Sequence, residues 1–415
     1  MVSGERQSHA ACRNGENHTM THYDIPVPIN RKLLAPGTIM LLVIMGIGLV
    51  AGVYRFLFGL EASTNLSQQY PWGLWIIADV SFIALAAGGF TTAAIAHVFH
   101  REVFHALARP ALVTALLGYT CACLALAADL GRYYNIWHPL LPAMWQGNSA
   151  LFEVGMCVMC YLTVLYIEFV PVFCERFIDD VRYPAFGRLC AKVNRFVGRT
   201  MGVVIVLGVG ISCLHQSSLG HVMALVPTKL HPLWYSPILA LLFLVSAIAT
   251  GFPTVIFVCI TASWGLKLRT PIHMLGALAR YVPVFLSFYL AFKIGDMLIR
   301  RSYLHLADNA LLTTMFLIEM IPCLIVPLVM TALTRVRMSP RWLGLACFLA
   351  MFGIVLNRAN VYWIGYQPPF ATHMYVPSLS EWLLTIGVIA TLVFIWRLIV
   401  IYFPVLSFPG KAKLA

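Results

Sequence analysis

Ten runs of about twenty predominantly apolar residues divide this chain, and no other feature of it constrains the fold as tightly. A helix rises about 1.5 Å per residue, so each run is long enough to cross a hydrocarbon core of about 30 Å. Lipid offers the backbone no water to bond, so only helices and closed barrels can span it. A barrel would be written in short alternating segments, and these runs do not alternate. They are read as helices. Composition matters only in excluding a soluble alternative: 11% of residues are charged, where soluble domains have about a quarter. The expected fold class is an all-α polytopic membrane protein of about ten transmembrane helices.

The expected spans are residues 36–58, 71–98, 110–130, 148–173, 196–214, 234–264, 275–298, 310–333, 342–363 and 381–403. The first 30 residues are polar and lack the apolar core of a cleavable signal peptide, and Met20 is an alternative start. A formal charge of +12 invites a nucleic-acid reading, but Lys and Arg sit in short loops between the runs. With both ends on one face, 21 of the 28 basic residues fall on that face or beside it, including Arg31, Lys32, Arg101, Arg188, Lys192, Arg337 and Lys411. By the positive-inside rule, the ends are cytoplasmic and the membrane is the bacterial inner membrane. The opposite, periplasmic face then carries long loops rich in Trp, Tyr, His and Pro: 131–147, 215–233 and 362–380.

Ionisable side chains within spans are costly and therefore candidates for function. Asp79 lies about eight residues into the second span, roughly 12 Å deep at 1.5 Å per residue. Asp129 closes the third, Glu153 opens the fourth, and His215 with Gln216 closes the fifth. These fall at similar depth on four consecutive helices, which favours a shared site. Lys293 and Asp296 have the spacing of a self-neutralising i,i+3 pair. Arg358 suits either a carboxylate partner or a ligand. Glu319 belongs near the middle of the eighth span, with Glu168 and His97 toward the cytoplasmic ends of theirs, and together they sketch a polar route inward.

Histidine, carboxylate and aromatic residues near an interface suit a quinone, whose oxygens need hydrogen-bond partners and proton exchange. A transporter pocket would look much the same. A di-haem cytochrome would need pairs of His on facing helices at matched depth, whereas nearly all thirteen histidines sit in loops, tails or helix ends. Most of the eleven cysteines lie inside apolar runs, and Cys157–Cys160 has no second pair to complete a metal site. No haem, iron–sulfur cluster or metal is expected in this chain, so electrons would come from another subunit.

The segments PWGLWIIAD (71–79), Gly88–Gly89, DLGRYYN (129–135), LHQSSLG (214–220) and HPLW (231–234) resemble the NrfD/PsrC family of quinone-interacting membrane subunits. Their branch is similar to HybB, the membrane subunit of uptake nickel–iron hydrogenases. The resemblance runs from about residue 35 to 405. It implies two four-helix bundles with flanking helices, divided as a tail (1–32), a first helix (33–65), bundles at 66–215 and 216–363, and a last helix with a short tail (364–415). It also implies menaquinone or ubiquinone bound near the periplasmic surface, beside a ferredoxin-like iron–sulfur subunit and hydrogenase or multihaem cytochrome partners. Carried over, Asp129 and Arg132 with His215 and Gln216 would line the pocket. Asp129 or His215 would exchange protons, with Trp72, Asp79 and Glu153 as neighbours. Glu168, Asp296, Glu319 and Arg358 would carry a proton pathway.

The reading favoured is a quinone-binding membrane anchor of a respiratory oxidoreductase, not catalytic by itself. A secondary transporter or ion-translocating subunit is the alternative; it would have a helix broken near the midplane, for which Gly251–Phe252–Pro253 is the candidate.

Overall fold

The computed structural model describes residues 28–29, 32–99, 102–178, 182–371 and 373–406. Among the described residues, ten helices are long and apolar enough to cross a membrane: α1 Pro36–Ser63, α2 Leu74–Ala96, α3 His105–Asp129, α4 Ala150–Phe177, α5 Pro184–Ala224, α6 Leu239–Gly265, α7 Ile272–Ile299, α8 Ala310–Ala332, α9 Pro340–Ile364 and α10 Leu379–Tyr402. The described residues contain no strand beyond one isolated bridge, Leu230 to Tyr366.

Helices α2–α5 pack as one ring, each against its neighbours with α5 returning to α2, and α6–α9 repeat the arrangement. The rings share a seam of α2 and α5 against α6 and α9. At its centre, a Cβ on Gly88 would stand 2.8 Å from the Gly251 carbonyl oxygen, so bare backbone is what allows α2 and α6 to touch. Lipid-solvated helices associate through such close approaches of small residues, because no hydrophobic drive separates lipid from Leu. Helix α2 is accordingly central, with 83% of its most apolar stretch buried, against 22% for α1, α5 and α7. Helix α1 pairs with α10 where Gly48 meets Gly387, and α10 leans on α3. Ile29 packs with Trp396, Ile399, Val400 and Val405, so both ends of the described chain lie on one side, the terminal face. The other side is the opposite face.

Helix α5 has 41 residues where the apolar run covers only 196–214. Hydropathy marks what lies in lipid, whereas a helix continues past lipid wherever its side chains tolerate water. His215 and Gln216 are consequently inside α5 and do not close it. Helix α6 runs unbroken through Pro253, and Gly251 serves the seam between the rings. The broken helix a transporter reading looks for is absent there. The polar tail 1–27, with Met20, lies outside the described residues, as do Arg31, Arg101, Lys411 and the side chain of His97.

Candidate functional site

Polar side chains gather in both rings, and each ring solves the burial problem differently. In α6–α9 the solution is mostly partnership, with Arg358 Nε and Asn360 Oδ1 left without a protein partner. Glu319, on α8 about 14 Å from its start at 1.5 Å per residue, receives four donors. Lys293 of α7 pairs with one carboxylate oxygen, which Asn357 Nδ2 also reaches at 2.8 Å. Trp234 Nε1 (2.9 Å) and Asn360 Nδ2 (2.8 Å) donate to the other. Arg358 is fully buried, bonding Asn357 Oδ1 (2.7 Å), Ser246 Oγ (3.1 Å) and the Phe243 carbonyl (3.2 Å), with its guanidinium 3.6 Å from the Phe243 ring centre. The network holds two cations against one carboxylate.

Local backbone geometry explains how side chains from one helix point at a common centre. A π-helical turn follows Glu319 at Ile321–Ile325, built around Pro322, and another spans Asn360–Ile364. Such turns insert a residue and rotate the helix, and they recur at functional sites. Two cavities of about 20 Å³ each flank the network, with room for about one water apiece. The first is lined by Lys293, Asp296 and Trp234, the second by Glu319, Asn357 and Ser246.

In α2–α5 several buried polar atoms have no protein partner. Asp79 Oδ1, both ring nitrogens of His215, Gln216 Oε1 and Trp75 Nε1 are all buried and unbonded within the protein. His215 is fully enclosed, its ring 5.5 Å from that of Tyr119, whose hydroxyl approaches that of Ser212. Gln216 uses only its amide, donating to the Ile83 carbonyl at 2.7 Å. More than nine in ten buried polar groups in proteins are bonded, so a cluster of exceptions calls for water or a ligand. Tyr362 stands between the two rings. It donates to the Leu219 carbonyl at 2.9 Å and lies within electrostatic reach of both Asp79 and Arg358.

Toward the opposite face, Asp129 adjoins Arg55, which donates to the Ala128 (2.7 Å) and Leu130 (2.9 Å) carbonyls. A buried guanidinium thus satisfies the open carbonyls at the end of α3. Beyond it Glu381, fully buried, closes a capping box with Ser378 and accepts from Tyr375 Oη, while Tyr375 accepts from Leu74 N–H at 3.0 Å. Burial, and then the Glu381 carboxylate, push the Tyr375 phenol above its usual value, so it remains a neutral donor. Outside it lies a cleft of about 330 Å³ lined by Asn65, Gln69, Tyr70, His373 and Tyr375. Trp72 lies tilted against two tyrosines, its ring 5.8 Å from Tyr362 and 5.9 Å from Tyr366.

The sequence-predicted residues therefore separate. Asp79 lies within electrostatic reach of Asp129 and of Tyr119, whose ring faces His215; Gln216 bonds Ile83 one turn beyond Asp79, and Trp72 is linked through Tyr362. Glu153 does not join them: it is exposed in the first turn of α4, where a carboxylate suits the helix dipole. Arg132, expected in the pocket lining, is exposed in the loop after α3, and the cation beside Asp129 is Arg55. Glu319 and Arg358 join in one network, with Asp296 at its mouth, whereas Glu168 stands in the other ring against Gly208. Lys293 and Asp296 do not pair. Lys293 turns inward to Glu319, and Asp296 binds Arg300 at 2.7 Å and Ser236 Oγ at 2.9 Å. Arg55, Asn357, Asn360, Tyr362, Tyr375 and Glu381 belong to the site without having stood out in the sequence, whereas Trp234 stands out there only as part of HPLW. Two asparagines flanking an arginine in an apolar run (LNRAN, 356–360) are the one visible signal among them.

A profile of the family described as "Polysulphide reductase, NrfD" matches residues 62–371. Among curated proteins, the chain is 30% identical to the probable Ni/Fe-hydrogenase 2 b-type cytochrome subunit of Escherichia coli, covering 92% of this chain and 95% of that one. It is 26% identical to the menaquinone reductase integral membrane subunit of Nitratidesulfovibrio vulgaris, over 90% and 91%. Identity to a selenate reductase subunit of Mesobacillus selenatarsenatis is 22%, over 87% and 92%.

Proposed function

The chain belongs to the NrfD family, and on that premise we propose that it is the quinone-reactive membrane subunit of a respiratory oxidoreductase complex. The observation that carries the reading is the cluster of unpartnered buried polar atoms on Asp79, His215 and Gln216. Leaving such groups unbonded in lipid is costly and is retained where a ligand or proton uses them. Relatives named for menaquinone reductase, selenate reductase and hydrogenase activity support a redox role over a purely mechanical anchor.

The donor set fits a quinone head group. A bound quinone supplies the exchange of two electrons and two protons. Asp79 and His215 provide groups that hold or release a proton, and Gln216 Oε1 is free to bond a hydroxyl or bridging water. The cleft beside Tyr70 and Tyr375 has the volume of a small-ligand site, and its wall residue Tyr375 donates to the buried Glu381. Trp72, Tyr362 and Tyr366 wall the way inward. Arg132 and Glu153, exposed at the rim, serve a partner subunit or lipid head groups instead. Menaquinone and ubiquinone fit equally.

Orientation follows the charge asymmetry: the terminal face is cytoplasmic, the opposite face periplasmic, and the membrane is the inner one. Electrons then arrive from a periplasmic iron–sulfur or haem partner, of the hydrogenase or multihaem cytochrome kind. No haem is assigned to this chain, although one relative is named a b-type cytochrome subunit. Among the described residues the buried histidines are His215 on α5 and His231 in the following loop, and His215 faces Tyr119 where a haem would need a second histidine opposite. The rings α2–α5 and α6–α9 act as separate units, the first for quinone, the second for protons; the boundary expected between residues 215 and 216 falls inside α5.

Proton coupling is the finer part of the proposal. Glu319 with Lys293, flanked by two water-sized cavities, forms a relay from Asp296 toward the midplane. Arg358 carries charge in excess of its network, and Tyr362, within electrostatic reach of both Arg358 and Asp79, would link the two. A proton arriving at Asp79 would therefore be felt at Arg358. The transporter alternative rests on this same network without quinone. Quinone reduction by the reconstituted complex separates the two: the anchor reading requires that Asp79→Asn and His215→Ala abolish it, and a complex indifferent to both variants is not using this site.

A further inference from the structure

On the opposite face, apart from the quinone and proton residues, three ligating side chains converge. His231 follows α5, and His305 and Asp308 follow α7. One nitrogen from each ring and one carboxylate oxygen lie within 4.8 Å of one another. His305 Nδ1 is 2.6 Å, and His231 Nε2 3.7 Å, from the same Asp308 Oδ2. Ligands around a tetrahedral zinc, each about 2.1 Å from the ion, stand roughly 3.4 Å apart. Small side-chain rotations bring the present set to that spacing.

From this geometry we infer that His231, His305 and Asp308 form a binding site for a zinc-class divalent transition ion. Two imidazoles and one carboxylate match the borderline ligand preference of zinc and its neighbours. His231 is buried, while His305 and Asp308 are half-exposed, so the ion would keep open positions facing water.

The backbone supports the three groups independently of any ion. His231 N–H donates to the Gly365 carbonyl (2.8 Å), the Leu230–Tyr366 bridge precedes it, and its own carbonyl accepts from Trp234 and Tyr235 N–H (both 2.9 Å). His305 lies in a short helical turn, Ser302–Ala307. Asp308 precedes Asn309, whose side chain caps α8. Three connections are thus already fixed where the ligands emerge. Binding through His231 Nε2 requires its proton on Nδ1, giving up a long 3.4 Å contact from Leu233 N–H. Trp234, three residues on, donates to Glu319, so an ion at this site would clamp the lip of the second ring.

The test uses the full chain, purified without a histidine tag and stripped with chelator. Zn²⁺ affinity is read by competition with a chromophoric chelator, and Co²⁺ reports the ligands by visible spectroscopy. The variants are His305→Ala and Asp308→Ala, both half-exposed and outside the spans. The expected result is one site per chain, weakened at least tenfold in either variant. Cobalt should give tetrahedral bands without thiolate charge transfer, and zinc should raise the melting temperature of the wild type only. Equal affinity in wild type and variants overturns the assignment, as does a thiolate band, which would place the ion on cysteines. The outcome is independent of whether quinone binds.

Discussion

Each buried ionisable side chain must find a partner or hold a proton, and the two rings divide along that line. Lys293 and Glu319 illustrate the first case. Breaking such a pair from one side leaves a charge in lipid, so Lys293→Met or Glu319→Leu should each cost about 3–5 kcal/mol. The double variant should lose much less than the sum, read as melting in detergent; additive losses would mean that the two do not act as a pair. Glu319→Gln should keep quinone reduction while lowering proton flux in vesicles, and equal loss of both would assign Glu319 to the quinone site or to folding. Asp79 and His215 illustrate the second case. Asp79→Asn and His215→Ala should lower quinone turnover by about 10²–10⁴-fold, the usual worth of a positioned proton donor. Asp79→Asn should leave melting little changed, because it surrenders no protein hydrogen bond, whereas His215→Ala also loses the packing of a fully enclosed ring. These residue types were legible in the sequence as anomalies in apolar runs. Their partners were not. The i,i+3 rule joined Lys293 to Asp296, but within a bundle a neighbouring helix offers Glu319 at equal distance and in lower dielectric. Depth alone placed Glu153 with Asp79, because depth says nothing about which way a helix is turned.

Helix pairs in this protein are set by small residues more than by large ones. A Cβ on Gly48 would meet the Gly387 Cα at 2.5 Å, so the α1–α10 pair has no room for a side chain there. Gly48→Leu should separate the pair and destabilise the protein by about 1–3 kcal/mol, the usual cost of overpacking. A cysteine pair introduced on the two helices near this contact should crosslink in the wild-type background and fail to do so with Gly48→Leu; unchanged crosslinking would show that the contact is not tight. All ten helices could be read from length and apolarity, since lipid imposes both. Interruptions were harder to read. Gly251 and Pro253 look like a break but sit within the continuous α6, where Gly251 serves the seam and the proline is absorbed by packing. The π turns beside Glu319 and Asn360 are real irregularities, and they leave no hydropathy signature because every residue in them is apolar or aromatic except Asn360 itself.

At the scale of the molecule, a ring of unpartnered buried polar groups and a charge-network ring meet across one glycine seam, with Tyr362 reaching both. The even number of helices and the bias of Lys and Arg were visible at once, and the two ends do share a face. How the rings communicate was not visible, because Tyr362, Arg55 and Glu381 look like ordinary interfacial residues until the helices are folded together. Single cysteines placed in the 131–147 loop should react with an impermeant reagent from the periplasm, and one placed near residue 337 only after the membrane is opened; the reverse pattern would invert the topology and move the donor to the cytoplasm. The central claim, that the first ring holds quinone, is tested most directly by mass analysis of organic extracts from the gently purified complex, comparing wild type with His215→Ala. Menaquinone or ubiquinone near one per chain in the wild type, and several-fold less in the variant, is the predicted result. A complex with its redox partners intact, yet holding no more quinone than its residual lipid carries, would contradict it.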